Sequence, residues 1–115
     1  MTDTEDLKIP DWLPLKEREE TLLEACSHED VELHEDKQRE TRVFLFSRKL
    51  IEAAGVTEKY IQTYRATNKG INALRISKVM KRLGIGRPTR QIIRFPDSDL
   101  SDLLAKLKEI DAKMR

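Results

Sequence analysis

The chain has one cysteine, Cys26, so no internal disulfide can form; a reducing, cytoplasmic location is the expectation. Aromatic residues make up only 5% of it. No apolar run approaches the roughly 20 residues of a membrane span. The first twenty residues also lack the apolar core of a signal peptide, so no membrane association is expected. There is no P-loop, no glycine-rich dinucleotide loop and no metal-ligand quartet. Catalytic residues, metal and cofactor are therefore all expected to be none, and the chain is not expected to be an enzyme. His28 and His34 lie among carboxylates in "HEDVELHEDKQRE" without a ligand spacing, and this stretch reads as a solvated loop.

What the chain does have is charge, at 37% of its 115 residues. A net charge of +1 conceals strong polarity along the sequence. Residues 1–40 carry 14 acids against 5 bases, a balance of −9. Residues 41–95 carry 13 bases against 2 acids, a balance of +11, and residues 96–115 stand at −1. A segment at +11 is the electrostatic footprint of a polyanion binder. The other reading is that the acidic N-terminal part packs on it and neutralises it.

Length and apolar content suit one small core. Residues 1–13 show no helical periodicity, with Pro10 before Trp12 and Pro14 just after, and read as an N-terminal arm, with the ring as an anchor; residues 14–115 read as the domain. "PLKEREETLLEACS" (14–27) has helical spacing at Leu15, Leu22 and Cys26, which makes the thiol a small core group. "TRVFLF" (41–46) is β-branched and aromatic, and it reads as a strand or as the start of a longer helix. Ser47 is a good cap for "RKLIEAA", with Gly55 as its stop and Phe46 and Ile51 as a staple. Similar arrangements around Thr57 and Asn72 predict a helix over "EKYIQTYRATN" and another from about Ala73 to Leu83.

The last of these helices is the candidate site. Ile76, Val79, Met80 and Leu83 share an apolar face, while Arg75, Lys78, Lys81 and Arg82 gather opposite with no acid among them. Like charges at helical spacing repel, so an anionic partner is a physical reason for the pattern. Gly84 stands where a left-handed residue ends a helix, with Ile85 placed to fold back on Met80. Asn72, Leu74 and Ser77 are candidates for base edges in duplex DNA; Leu74 has an equal claim to pack on the preceding helix. Arg87, Thr89 and Arg90 follow as candidate backbone contacts. About five to seven phosphate contacts predict a salt slope on the order of −5. "RQIIRF" (90–95) then reads as a strand that pairs with "TRVFLF". The final helix, capped at Asp97 or Ser98, carries an apolar stripe at Leu100, Leu103, Leu104, Leu107 and Ile110. That stripe serves the core or a protein partner, and the acidic N-terminal arm is a second candidate for protein contact.

The order of elements predicts a mainly α fold: a winged helix-turn-helix with a short two- or three-stranded sheet, or an all-α helical bundle if "TRVFLF" is helical. "VFLFSRKLIEAA…INALRISKVMKRLGIGRPTRQIIR…DLSDLLAKL" resembles the C-terminal winged-helix module of phage and plasmid primase–helicase proteins. The resemblance covers about residues 41–110 and is carried by Ser47 and Leu50, then Met80, Lys81, Gly84, Ile85, Arg87 and Arg90. It implies a non-catalytic DNA-binding module in replication initiation of a mobile element. The other function expected is a winged-helix docking module or a small transcriptional regulator.

Overall fold

The computed structural model describes residues 9–32, 35–86 and 100–113, with side chains omitted at 35–37. Four helices carry most of the described chain: α1 (Glu17–His28), α2 (Glu35–Ser47), α3 (Asn68–Leu83) and α4 (Ser101–Lys113). Strands β1 (Val31–Glu32), β2 (Ile51–Val56) and β3 (Gln62–Ala66) form one antiparallel sheet in the order β1-β3-β2. The fold is thus mainly helical with a small sheet.

Three expectations are corrected. Thr41–Phe46 are helical, within α2: Thr41 and Leu45 are buried on one side while Val43 and Phe46 face outward. The predicted pairing with "RQIIRF" therefore does not form, and residues 90–95 themselves lie outside the described residues. Ser47 ends a helix instead of starting one, with its hydroxyl donating to the Phe44 carbonyl at 3.1 Å. The chain then turns sharply through Lys49, whose φ is 60°. "IEAAGV" becomes β2 and "QTYRA" becomes β3, so the predicted helices over "RKLIEAA" and "EKYIQTYRATN" are replaced by a hairpin.

Cross-strand pairing explains that outcome. Ile51 pairs with Ala66, Ala53 with Tyr64 and Val56 with Gln62, with a bulge between Ala53 and Gly55. Thr57 closes the hairpin by donating its N–H to Ile61 O at 2.9 Å and accepting the Ile61 N–H on Oγ1 at 3.2 Å. Ile51 and Tyr64 are buried through this register, which outweighs the helical propensity of "LIEAA".

The core gathers Leu22, Leu23 and Cys26 of α1, Leu45 of α2, Ile51 and Tyr64 of the sheet, and the inner face of α3. Leu100, Leu103, Leu104 and Leu107 join it, so the C-terminal stripe is chiefly core, with Ile110 half-buried at its end. The position of the predicted caps at Asp97 and Ser98 lies outside the described residues; α4 begins at Ser101. Ile9, Pro10 and Leu13, from the segment expected as an arm, are buried in the same core. Trp12 meets Phe44 edge to face, at 6.4 Å between centroids. Among the described residues no helix is long and apolar enough to cross a membrane.

Candidate nucleic-acid interface

The basic helix α3 is capped five residues before its predicted N-cap, Asn72. Thr67 is the cap: its Oγ1 accepts from Gly70 N at 3.0 Å and donates to Lys49 O at 2.6 Å. At the other end Gly84 adopts φ 73°, and Ile85 N–H reaches Met80 O at 2.8 Å. That is the expected left-handed ending, and it returns Ile85 to the core edge.

The helix buries Ala73, Leu74, Ile76, Ser77, Val79 and Met80. Two predicted base contacts are thereby corrected. Leu74 is a core residue, 6% exposed, because the buried side of α3 extends to its position. Ser77 is fully buried. Its Oγ accepts the Leu15 N–H at 2.8 Å and donates to Glu20 Oε1 at 2.9 Å. It ties the N-terminal segment to α3 and has no path to a base. Asn72 is half-buried.

The four cations remain on the outer side, but three have acids from neighbouring helices against them. Lys78 Nζ lies 3.2 Å from Glu24 Oε1 of α1. Lys81 Nζ contacts Glu20 Oε1, also of α1. Arg82 grips Asp111 of α4 with both arms, Nε to Oδ1 at 3.2 Å and Nη2 to Oδ2 at 2.7 Å. Arg75 is exposed and forms no ion pair among the described residues. A helix can lack acids in its own sequence and still be neutralised by its neighbours: two of these acids come from the acidic N-terminal part and one, Asp111, from α4.

These pairs differ in how readily they exchange. Glu24 is 47% exposed and Lys78 52%, a pair worth roughly 0–1 kcal/mol that a phosphate can displace. The carboxylates of Glu20 and Asp111 are only 16% and 12% exposed. Removing their cations would leave part-buried carboxylates with less to compensate their charge, which costs more. Lys81 and Arg82 are therefore held in the fold, whereas Arg75 and Lys78 are available to a ligand.

Arg87, Thr89 and Arg90 lie outside the described residues, as does His34. His28 is exposed, and among the described residues no three of His, Cys, Asp and Glu cluster as a metal site. Cys26 is buried in α1, and burial, with the nearby Asp30 charge as a lesser cause, pushes its thiol up to about 11. Compared with protein-family models, curated proteins and solved structures, the chain matches none.

Proposed function

We propose that the chain is a non-catalytic DNA-binding module, with the outer stripe of α3 laid along the backbone of a duplex. The observation that carries it is the pair of available cations on an acid-free helix, Arg75 without an ion pair among the described residues and Lys78 in an exchangeable one. Asn72, near Arg75 on the helix surface, is the one remaining candidate on α3 for a base edge. Arg87, Thr89 and Arg90 continue the basic run just past the helix end and extend the backbone contact. The sheet order β1-β3-β2 is compatible with a winged helix, although the hairpin here precedes the basic helix. On the resemblance to primase–helicase modules, the setting is replication initiation of a mobile element, beside a motor domain.

Withdrawing Lys81 and Arg82 changes the expected salt dependence. About four phosphate contacts, from Arg75, Lys78, Arg87 and Arg90, give a slope of about −3.6 in log K against log salt. Titration of a short duplex across low to moderate salt measures it. A flat response, or no binding at low salt, overturns the reading. Glu24→Gln, which releases Lys78, is expected to tighten duplex binding about two- to fivefold.

A docking module is the second reading, favoured by the Lys78–Glu24, Lys81–Glu20 and Arg82–Asp111 pairs, which neutralise much of the basic face. On that reading Glu24→Gln leaves DNA binding absent.

A further inference from the structure

We infer that the β2–β3 hairpin and the outer side of α2 form a self-complementary face on which a second copy of this chain docks, with Tyr60 of each copy on Phe46 of the other. The large apolar residues left exposed among the described residues are Val43, Phe46, Val56 and Tyr60, at 51%, 51%, 60% and 90%. All four belong to α2 and the hairpin that follows it.

One sheet face joins them. Residues paired across strands share a face, so Ala53 stands beside Tyr64 and Val56 beside Gln62. At its root this face is core, with Ile51 and Tyr64 buried. Toward the tip it is bare, with Ala53 and Val56 exposed. Phe46 borders it, its ring 6.0 Å from that of Tyr64 between centroids. Val43 stands one turn before Phe46 on α2. The result is an open apolar corner between helix and hairpin.

Tyr60 contributes little burial to the isolated chain. It ends the hairpin loop 58–60, with its N–H donating to Thr57 O at 2.9 Å and a left-handed φ of 63°. Glycine or asparagine suits that position without strain. A tyrosine there is strained, and its bare ring recovers nothing by packing on its own fold. A contact outside the chain accounts for the residue.

Spacing, charge and area select the occupant. Gln62 stands two residues from Tyr60 and two from Tyr64, about 7 Å along the strand each way. A two-fold axis through the Val56–Gln62 row therefore carries Tyr60 of one copy over Tyr64 and Phe46 of the other, and sets Val56 against Val56. Both tips dock at once, as an interface of like surfaces requires. Charge does not oppose it: Glu58 and Lys59 offset each other at the tip, and Glu52 lies 2.9 Å from Arg65. Two rings of about 150–250 Å² each, half and nine-tenths open, with two valines over half open, expose about 450 Å² per copy. The pair then buries about 900 Å², close to the roughly 1,000 Å² of a small specific interface, so the dimer is weak and reversible.

Sedimentation equilibrium of the full chain from about 5 to 500 μM is expected to show monomer and dimer, with a dissociation constant of about 10–100 μM. Tyr60→Gly is expected to weaken the dimer about tenfold. Diluted to monomer, the same variant is expected to unfold at no lower urea concentration than the parent, because glycine relieves the left-handed strain. Val56→Cys is expected to give a disulfide-linked dimer under mild air oxidation, which the parent does not form, its Cys26 being buried. A chain that stays monomeric throughout overturns the proposal and leaves the face to a different protein. So does a dimer that Tyr60→Gly does not weaken. A dilute Tyr60→Gly variant less stable than the parent also overturns it, since the ring would then serve its own fold.

Discussion

Replacing Gly70 by alanine sets two physical effects against each other, with opposite signs. Gly70 lies in the first turn of α3, where helix propensity alone favours alanine by about 1 kcal/mol. A Cβ there would stand 2.0 Å from the Leu50 carbonyl oxygen, 2.9 Å from its carbon and 3.1 Å from Leu23 Cδ1. The nearest of these is backbone, so no rotamer relieves it. Contacts below 3.0 Å are essentially never seen, so α3 and the turn before β2 must part by about 1 Å or more. The Leu50 oxygen accepts the Thr67 N–H at 3.0 Å, and Thr67 in turn caps Gly70. Moving the turn disturbs both bonds. Overpacking costs about 1–3 kcal/mol, and a strained bond and a strained cap add roughly 1 kcal/mol each. Against the 1 kcal/mol gained from propensity, the net loss is about 3 kcal/mol. A domain of this size has roughly 5–15 kcal/mol to lose. Urea unfolding followed by circular dichroism measures it, with Gly84→Ala as the comparison. Gly84 has open space around it and a left-handed φ of 73°, so alanine there is expected to cost only about 1–2 kcal/mol from backbone strain. A Gly70→Ala variant as stable as the parent, or more stable, would refute the close approach of α3 to Leu50.

Ser77→Ala is expected to cost about 1–3 kcal/mol in the same assay, because it strips the buried Leu15 N–H of its acceptor; a neutral result counts against that link. A double-mutant cycle of Arg82→Ala and Asp111→Ala is expected to show a coupling of about 0.5–1.5 kcal/mol, reduced by the half-exposed guanidinium, and additive losses would mean the pair is idle. The raised Cys26 thiol predicts slow alkylation near pH 8 in the folded chain and fast alkylation in urea. It also has a stability consequence. The unfolded thiol ionises near 9 and the folded one near 11, so its contribution is full below pH 9 and is lost between 9 and 11. Unfolding curves for the parent and Cys26→Ala are expected to converge or diverge only across that window.

Legibility in the sequence followed the range of the forces. Elements defined by their own periodicity were readable: the apolar faces of α1, α3 and α4, the burial of Cys26, and the ending at Gly84 with Ile85 folded back. Each depends on residues within a turn or two. "TRVFLF" misled because a run of β-branched and aromatic residues favours a strand locally, while burial of Thr41 and Leu45 on one helical side decides it. "YIQTYRA" did carry a signal for a strand in its Thr and Tyr residues, but the cap-like Thr57 pointed to a helix. At the site, the cationic residues of α3 were legible, and the charge balance raised neutralisation by the acidic N-terminal part, but the individual partners were not readable. Glu20, Glu24 and Asp111 lie tens of residues away, and only the tertiary fold brings them to Lys81, Lys78 and Arg82. Leu74 and Ser77 were misassigned for the same reason, since the buried arc of α3 is wider than its own apolar stripe.

The Ser77 hydroxyl that receives the Leu15 N–H spans 62 positions of sequence. On a ribosome, the segment carrying Leu15 and α1 emerges long before its partner exists. Glu20 and Glu24 face the same delay, because their cations are residues 81 and 78. Until α3 has been made, Leu22, Leu23 and Cys26 have only the small sheet and α2 to cover them. The N-terminal third is therefore a waiting half-structure during synthesis, and the domain closes late, when α3 slides its buried face between α1 and the chain still to come.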